Sequence, residues 1–150
     1  MSDVVVRPAL QTERSSLEAL QWRASLANSG DRDSLVANPD AIALPVEQIA
    51  DGHVFVAERD GVIVGFAAVL ARPDGNTELD ALFVEPSLWK RGVGRLLVDR
   101  CADVARGRAS RFLHVVGNPH AEGFYTSCGF RTTGTFATRF GVGLSMDRGL

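Results

Sequence analysis

The sequence predicts a mixed α/β layered domain with the element order β-α-(α)-β-β-β-α-β-α-β-β. Three observations carry that expectation. Short apolar and β-branched runs recur between clusters of Gly, Pro, Asn and Asp, the pattern of strands and turns. Two of the runs meet at Asp60-Gly61, a strong hairpin signal. From Gly92 the spacing changes, and Val93, Leu96, Leu97, Cys101, Val104 and Ala105 fall on one face of a helix.

Each element has its own local reason. Val4, Val5 and Val6 form a β-branched run that ends at Arg7-Pro8, a first strand. Thr12 or Ser15 offers an N-cap to a helix whose Leu17, Leu20, Ala24 and Ala27 share a face. Asn28 to Asp33 is rich in turn residues. Ser34 to Gly52, broken by Pro39 and Pro45, reads as a loop with one short helix, roughly Pro45 to Ala50. Val54–Glu58 and Val62–Leu70 are the hairpin strands, and Pro73, Asp74, Gly75 and Asn76 mark the following turn. Glu78–Val84 is a fourth strand, stopped by Pro86, which cannot donate to a ladder. It is apolar on both faces near its end, which places it centrally in a sheet. The helix from Gly92 runs to about Arg106. Phe112–Val116 is a fifth strand, His120–Ser127 a short helix terminated by Gly129, and Arg131–Met146 a closing pair of strands.

The totals bound the function. A length of 150 residues suits one domain spanning residues 1–150, and no repeat, linker or low-complexity segment divides it. A hydrophobic share of 45% with 23% charged residues is that of a soluble globular protein. With a net charge of −2 there is no basic field to grip nucleic acid. Two scattered cysteines, Cys101 and Cys128, do not make a secreted disulfide scaffold and read as reduced, buried thiols. No stretch of about 18 apolar residues suggests a membrane span, and Met1–Leu10 lacks a signal-peptide core. Cytoplasm is the default compartment.

The most informative stretch runs from Leu82 through Glu85-Pro86-Ser87-Leu88-Trp89-Lys90-Arg91-Gly92-Val93-Gly94-Arg95. A strand leads through a short loop into glycines that open an amphipathic helix. Glycines there let a ligand approach the backbone, and the first helical N–H groups have no internal partner. Beside the positive end of the helix dipole, they form an anion site suited to phosphate. Lys90, Arg91 and Arg95 add three cations, which fits a pyrophosphate better than a lone carboxylate. The Walker A pattern has no match in the chain, and a dinucleotide fingerprint needs a third glycine where Leu97 stands. Taken alone, the loop also describes a glycine-capped helix with exposed basic side chains.

A second segment accompanies it: Asn118-Pro119-His120-Ala121-Glu122-Gly123-Phe124-Tyr125-Thr126-Ser127-Cys128-Gly129-Phe130. Together, in this order, the two resemble the Gcn5-related N-acetyltransferase (GNAT) superfamily. Its Gln/Arg-x-x-Gly-x-Gly/Ala pattern follows the fourth strand, with Gly92 and Gly94 in the glycine positions. Trp89 departs from the Gln/Arg position, while Lys90 and Arg91 keep the charge. The resemblance implies a mostly antiparallel sheet of about seven strands, with strands four and five splayed to admit acetyl-CoA. It implies that backbone amides of Arg91, Gly92, Val93, Gly94 and Arg95, with Lys90 nearby, hold the pyrophosphate. Leu82, Phe83 and Val84 would pair with the pantetheine arm, and Asn118 would lie near it. The implied partners are acetyl-CoA and a small amine acceptor, with no nucleic acid and no membrane, and a homodimer is among the implied assemblies.

Acetyl transfer to nitrogen needs a neutral amine, a stabilised oxyanion and a proton for the departing thiolate. An alkylammonium titrates near 10.4, so a carboxylate must take its proton directly or through water. Tyr125, the single tyrosine, occupies the position that the resemblance gives to the general acid; the alternative is an aromatic packed beside Phe124. Glu78 stands fourteen positions before Gly92 (92 − 78), as the general-base glutamate does in some protein-acetylating relatives. Glu78 and Asp80 share a strand face with Leu82 and Val84. Either carboxylate reads as functional or as an exposed strand end. His53 reads as exposed, His114 as a core histidine, and His120 as a weak candidate for proton traffic. No His/Cys/Asp cluster has metal-ligand spacing, so no metal is expected. Burial is the better reading of Cys128. Trp22, Arg23, Asn28, Asp31 and Arg32, with the connection near Thr138–Gly143, read as an acceptor pocket or as solvated loops. The competing class is an acyl-CoA-binding sensor without turnover, and within the enzyme class a protein N-acetyltransferase.

Overall fold

The computed structural model describes the backbone of residues 3–38, 40, 42–138 and 141–150, and the side chains of these except 29–31 and 34. The elements are β1 (Val4–Pro8), α1 (Arg14–Ala27), α2 (Ser29–Ala37), α3 (Val46–Ala50), β2 (Val54–Arg59), β3 (Val62–Ala71) and β4 (Thr77–Val84), then α4 (Val93–Gly107), β5 (Phe112–Gly117), α5 (Glu122–Ser127), β6 (Phe130–Thr138) and β7 (Gly141–Gly149). The strands form one sheet in the order β1-β2-β3-β4-β5-β7-β6, so β4 is central as its apolar end requires. The β1–β2, β2–β3, β5–β7 and β6–β7 pairs are antiparallel, and β4–β5 is parallel. The mixed, mostly antiparallel sheet is therefore as expected. Among the described residues the β4–β5 ladder has two rungs, Thr77–Leu113 and Glu78–His114, beyond which the strands part, the splay that the family resemblance implies.

Two compact units contain these elements: Met1–Ala68 with Ala81–Leu97, and Val69–Asp80 with Val98–Leu150. In the first, Leu17 and Leu20 of α1 join Ile49, Val54, Val56 and Phe66 in one buried cluster, against which Ala81 and Phe83 of β4 pack. Truncating a fully buried leucine of this kind costs about 2–5 kcal/mol. The β2–β3 turn carries positive φ at Asp60 (53°) and Gly61 (78°), the backbone that a two-residue hairpin demands. In the second unit, Val98, Cys101, Ala102 and Ala105 of α4 are buried, as are Leu113, Val115 and Met146. The Asn76 side chain there accepts the amides of Arg111 (3.0 Å) and Phe112 (3.1 Å), pinning the start of β5 to the turn before β4.

Three local expectations change. Asn28 to Asp33 is not an irregular turn: only Asn28 is extended, and α2 begins at Ser29. Short polar residues ahead of an apolar pair mark a helix N-terminus as readily as a loop, and Leu35 gives the new helix a buried side chain. Neither Thr12 nor Ser15 caps α1. The N-cap position falls at Glu13, which makes no side-chain bond to α1. Its carboxylate instead accepts the Leu10 amide at 2.8 Å and its amide donates to the Leu10 carbonyl at 2.9 Å, boxing the Gln11–Glu13 turn that leads into the helix. Ala27 is exposed, unlike Leu17, Leu20 and Ala24, because it lies at the helix end. Pro39, singled out as a breaker, lies outside the described residues, as do Arg139 and Phe140 of the β6–β7 connection.

Candidate functional site

In the first unit, the end of β4 and the start of α4 bring together nine of the residues singled out above. Leu82, Phe83 and Val84 are half-buried, and the Phe83 ring lies 5.6 Å from that of Phe66. Alternation along the strand therefore turns Ala81 and Phe83 to the core and Leu82 and Val84 to the opposite face. The strand ends where the Glu85 amide donates to the Val64 carbonyl (2.8 Å) and the Pro86–Leu88 turn follows. Trp89, the departure from the Gln/Arg position, has a local role: its indole N–H donates to the Val84 carbonyl at 2.8 Å. The indole thus ties the loop to the last residue of the strand.

The backbone then passes through two left-handed residues, Lys90 (φ 63°) and Gly92 (φ 89°). A glycine adopts that conformation at no steric cost, and a lysine does not. At Gly92, a Cβ would meet open space, so its backbone rather than crowding within the protein demands glycine. The Leu96 amide donates to the Gly92 carbonyl at 3.1 Å, which sets the start of the α4 ladder. The amides of Val93 and Gly94 thus precede the first bond within the helix. Val93 is buried and can serve a ligand through its amide alone, whereas Lys90, Arg91 and Arg95 are exposed. A helix N-terminus with three exposed cations favours a doubly charged anion.

One device of this region has no sequence signal. Arg23 of α1 grips Glu85 with two parallel bonds, Nε to Oε1 at 3.0 Å and Nη2 to Oε2 at 2.9 Å. The hydrogen bond to the Glu85 carboxylate holds the Arg23 guanidinium above its ordinary range. Arg23 therefore braces the loop from α1. Their separation of 62 residues hides the pair from any local pattern. Trp22 is half-buried on the same helix, and Arg32 lies on α2.

The second unit holds Tyr125, Asn118 and Glu78. Tyr125 is buried, with its ring edge-on to Phe124 (5.2 Å) and Phe130 (5.5 Å). Gly117 lets it in: a Cβ there would come within 3.0 Å of the tyrosine ring. Asn118 is half-buried at the head of the Pro119–Ala121 turn, its carbonyl accepting the Ala121 amide at 2.9 Å. Glu78 is half-buried and paired with Arg72 (3.3 Å), while Asp80 is exposed. His114 is neither core nor free; its Nδ1 lies 2.6 Å from Asp147 Oδ1. His120 is exposed. His53 is half-buried rather than exposed, because its amide donates to the Gln48 carbonyl at 3.0 Å and draws it against α3. Both cysteines are buried, and neither is in a disulfide. Among the described residues no group of three His, Cys, Asp or Glu could hold a metal, and no helix is long and apolar enough to cross a membrane.

A sequence model described as the acetyltransferase (GNAT) family matches residues 16–130. The peptidyl-lysine N-acetyltransferase YjaB of Salmonella typhimurium is 28% identical over 130 residues, covering 86% of this chain and 84% of that protein. A GCN5-related N-acetyltransferase from Rhodopseudomonas palustris superposes with a TM-score of 0.77 at 24% identity, covering 100% and 98% of the two chains. The PaiA N-acetyltransferase of Thermoplasma acidophilum, solved in complex with coenzyme A, gives 0.76 at 14% identity over 99% of each chain. At such identities the structural likeness shows a common fold.

Proposed function

Because the chain belongs to the acetyltransferase (GNAT) family, we propose that it transfers an acetyl group from acetyl-CoA to the primary amine of a small molecule or amino acid, by direct attack of the amine. The observation that carries this reading is the turn into α4, where Lys90 and Gly92 take left-handed backbone and Arg91 and Arg95 stand exposed beside a helix N-terminus. The amides from Arg91 to Arg95 hold the diphosphate, with Lys90 as an added cation. Leu82 to Val84 line the pantetheine, with Asn118 as a further contact. Tyr125 gives the leaving sulfur its proton. Burial suits that role, because a phenol shielded from water keeps its proton until a partner needs it. Glu78, paired with Arg72 at 3.3 Å, takes the proton of the acceptor ammonium, directly or through one water.

A second acceptor class is favoured by one observation, the 28% identity to a peptidyl-lysine N-acetyltransferase. A protein lysine presents the same alkylammonium. Thiol release from acetyl-CoA, measured across free amino acids, polyamines and lysine-containing peptides, separates the two. Tyr125→Phe is expected to lower kcat at least tenfold while leaving the calorimetric affinity for acetyl-CoA within about twofold. An unchanged kcat removes Tyr125 from the reaction. Cofactor binding without turnover on any amine replaces the enzyme with a sensor. The cytoplasm is the compartment we propose, in keeping with two buried thiols outside any disulfide.

A further inference from the structure

On one face of the second unit, a row of ionisable side chains crosses four strands in register. Glu78 of β4 pairs with His114 of β5, His114 with Asp147 of β7, and Asp147 with Arg131 of β6. Register partners on adjacent strands, about 4.8 Å apart, present their side chains to the same face. Arg72 holds the outer side of Glu78, and Asp80 is the next carboxylate along that face of β4. Phe112 and Val116 flank His114 on its own strand. The imidazole is only 12% exposed, against 33% for the carboxylate that holds it. The Glu78–His114 rung is also the last between β4 and β5 among the described residues.

A carboxylate only accepts hydrogen bonds, so Asp147 selects the tautomer of His114 with its proton on Nδ1 and leaves Nε2 as the accepting nitrogen. That is the arrangement by which a carboxylate orients an imidazole for proton transfer. Resting on the acetyl-transfer reading above, we propose that His114, oriented by Asp147, is a proton-relay residue that empties Glu78 during each turnover. The ammonium N–H bond breaks and its proton passes to Glu78; the freed lone pair forms the N–C bond and the C–S bond breaks, the departing sulfur taking a proton from Tyr125, which is restored by the second proton that the nitrogen gives up as the amide forms. Glu78 hands its proton to His114 Nε2, and the imidazolium releases it to water. One proton leaves per acetyl group transferred, and no electrons change hands.

A merely structural pair, tying β5 to β7, would predict a different outcome. His114→Asn keeps an N–H near the place of Nδ1 and so retains a bond to Asp147, but it cannot take a proton. The test measures kcat against pH with saturating acetyl-CoA and the best amine of the panel. The expected result is a kcat lowered about tenfold at neutral pH, an unchanged KM for acetyl-CoA, and an acidic limb moved toward acid. Free imidazole should restore part of the rate of His114→Ala, and Asp147→Asn should lower kcat in the same direction. Where His114→Asn does not fold, as judged by its thermal midpoint, Asp147→Asn and the imidazole rescue decide. A normal rate with an unmoved acidic limb overturns the relay alone. Absence of turnover by the unaltered protein overturns the acetyl-transfer reading, and the relay with it.

Discussion

Lys90 holds a backbone conformation that suits glycine, with φ at 63°, and its side chain is exposed. A non-glycine residue in that region costs of the order of 1 kcal/mol, which persists where the surroundings or the function require it. In the reading above the return is a third cation beside the diphosphate. Lys90→Gly should therefore separate the two quantities. Thermal unfolding without ligand should show a gain of up to about 1 kcal/mol, while calorimetry should show severalfold weaker binding of acetyl-CoA. Weaker binding with no gain in stability would mean that the turn already accommodates the lysine at no cost. Trp89 makes a related point by different means. Where the family pattern has Gln or Arg, an indole N–H closes onto the Val84 carbonyl, so the position serves the loop's shape rather than its charge.

At the scale of elements, the junction of β1 with α1 rests on Glu13. Its carboxylate accepts two bonds from Arg7, at 3.0 and 2.8 Å, and one from the Leu10 amide. The Arg7 hydrogen bond, helped by the Leu10 amide, holds the Glu13 carboxyl below its ordinary value of 4.5. A carboxyl lowered in the folded state adds stability above that ordinary value and loses it as pH falls through the lowered one. Glu13→Gln should cost about 1 kcal/mol at neutral pH, and the difference from the unaltered protein should shrink in acid. Denaturant melts at neutral and acidic pH check both the size and the sign. A deficit that persists in acid would locate the loss in packing rather than charge.

For the molecule as a whole, the two thiols report how well the interior excludes water. Burial pushes the Cys101 thiol up to about 12, and Cys128 is only 3% exposed. Reaction with a disulfide reagent requires a thiolate and access, and both are withheld. Neither cysteine should label in the native protein, and both should label together on unfolding. Rapid labelling of one of them in the native state would reveal local opening around it. The charge balance belongs to the same scale. A chain of net charge −2 has no cationic field overall, yet three exposed cations gather within six residues at the turn into α4. Selectivity for an anion is thus built locally, with little help from long-range attraction.

Several features were legible from residue order alone, because local chemistry decides them. Apolar and β-branched runs between turn residues marked the strands, and the Asp60-Gly61 pair marked its hairpin. The change of apolar period at Gly92 located α4, and the glycine turn with the Asn118–Phe130 segment pointed to the family. Contacts between distant residues were not legible. Arg23 with Glu85, 62 residues apart, and His114 with Asp147, 33 apart, meet only when strands and helices are assembled. The helix from Ser29 hid among turn-forming residues until Leu35 had a place to be buried. Residue order determined the elements and the cationic glycine turn, since those depend on neighbours along the chain. Strand register alone decided which ionisable groups share a face, because that depends on how separate segments pair and on what each pairing buries.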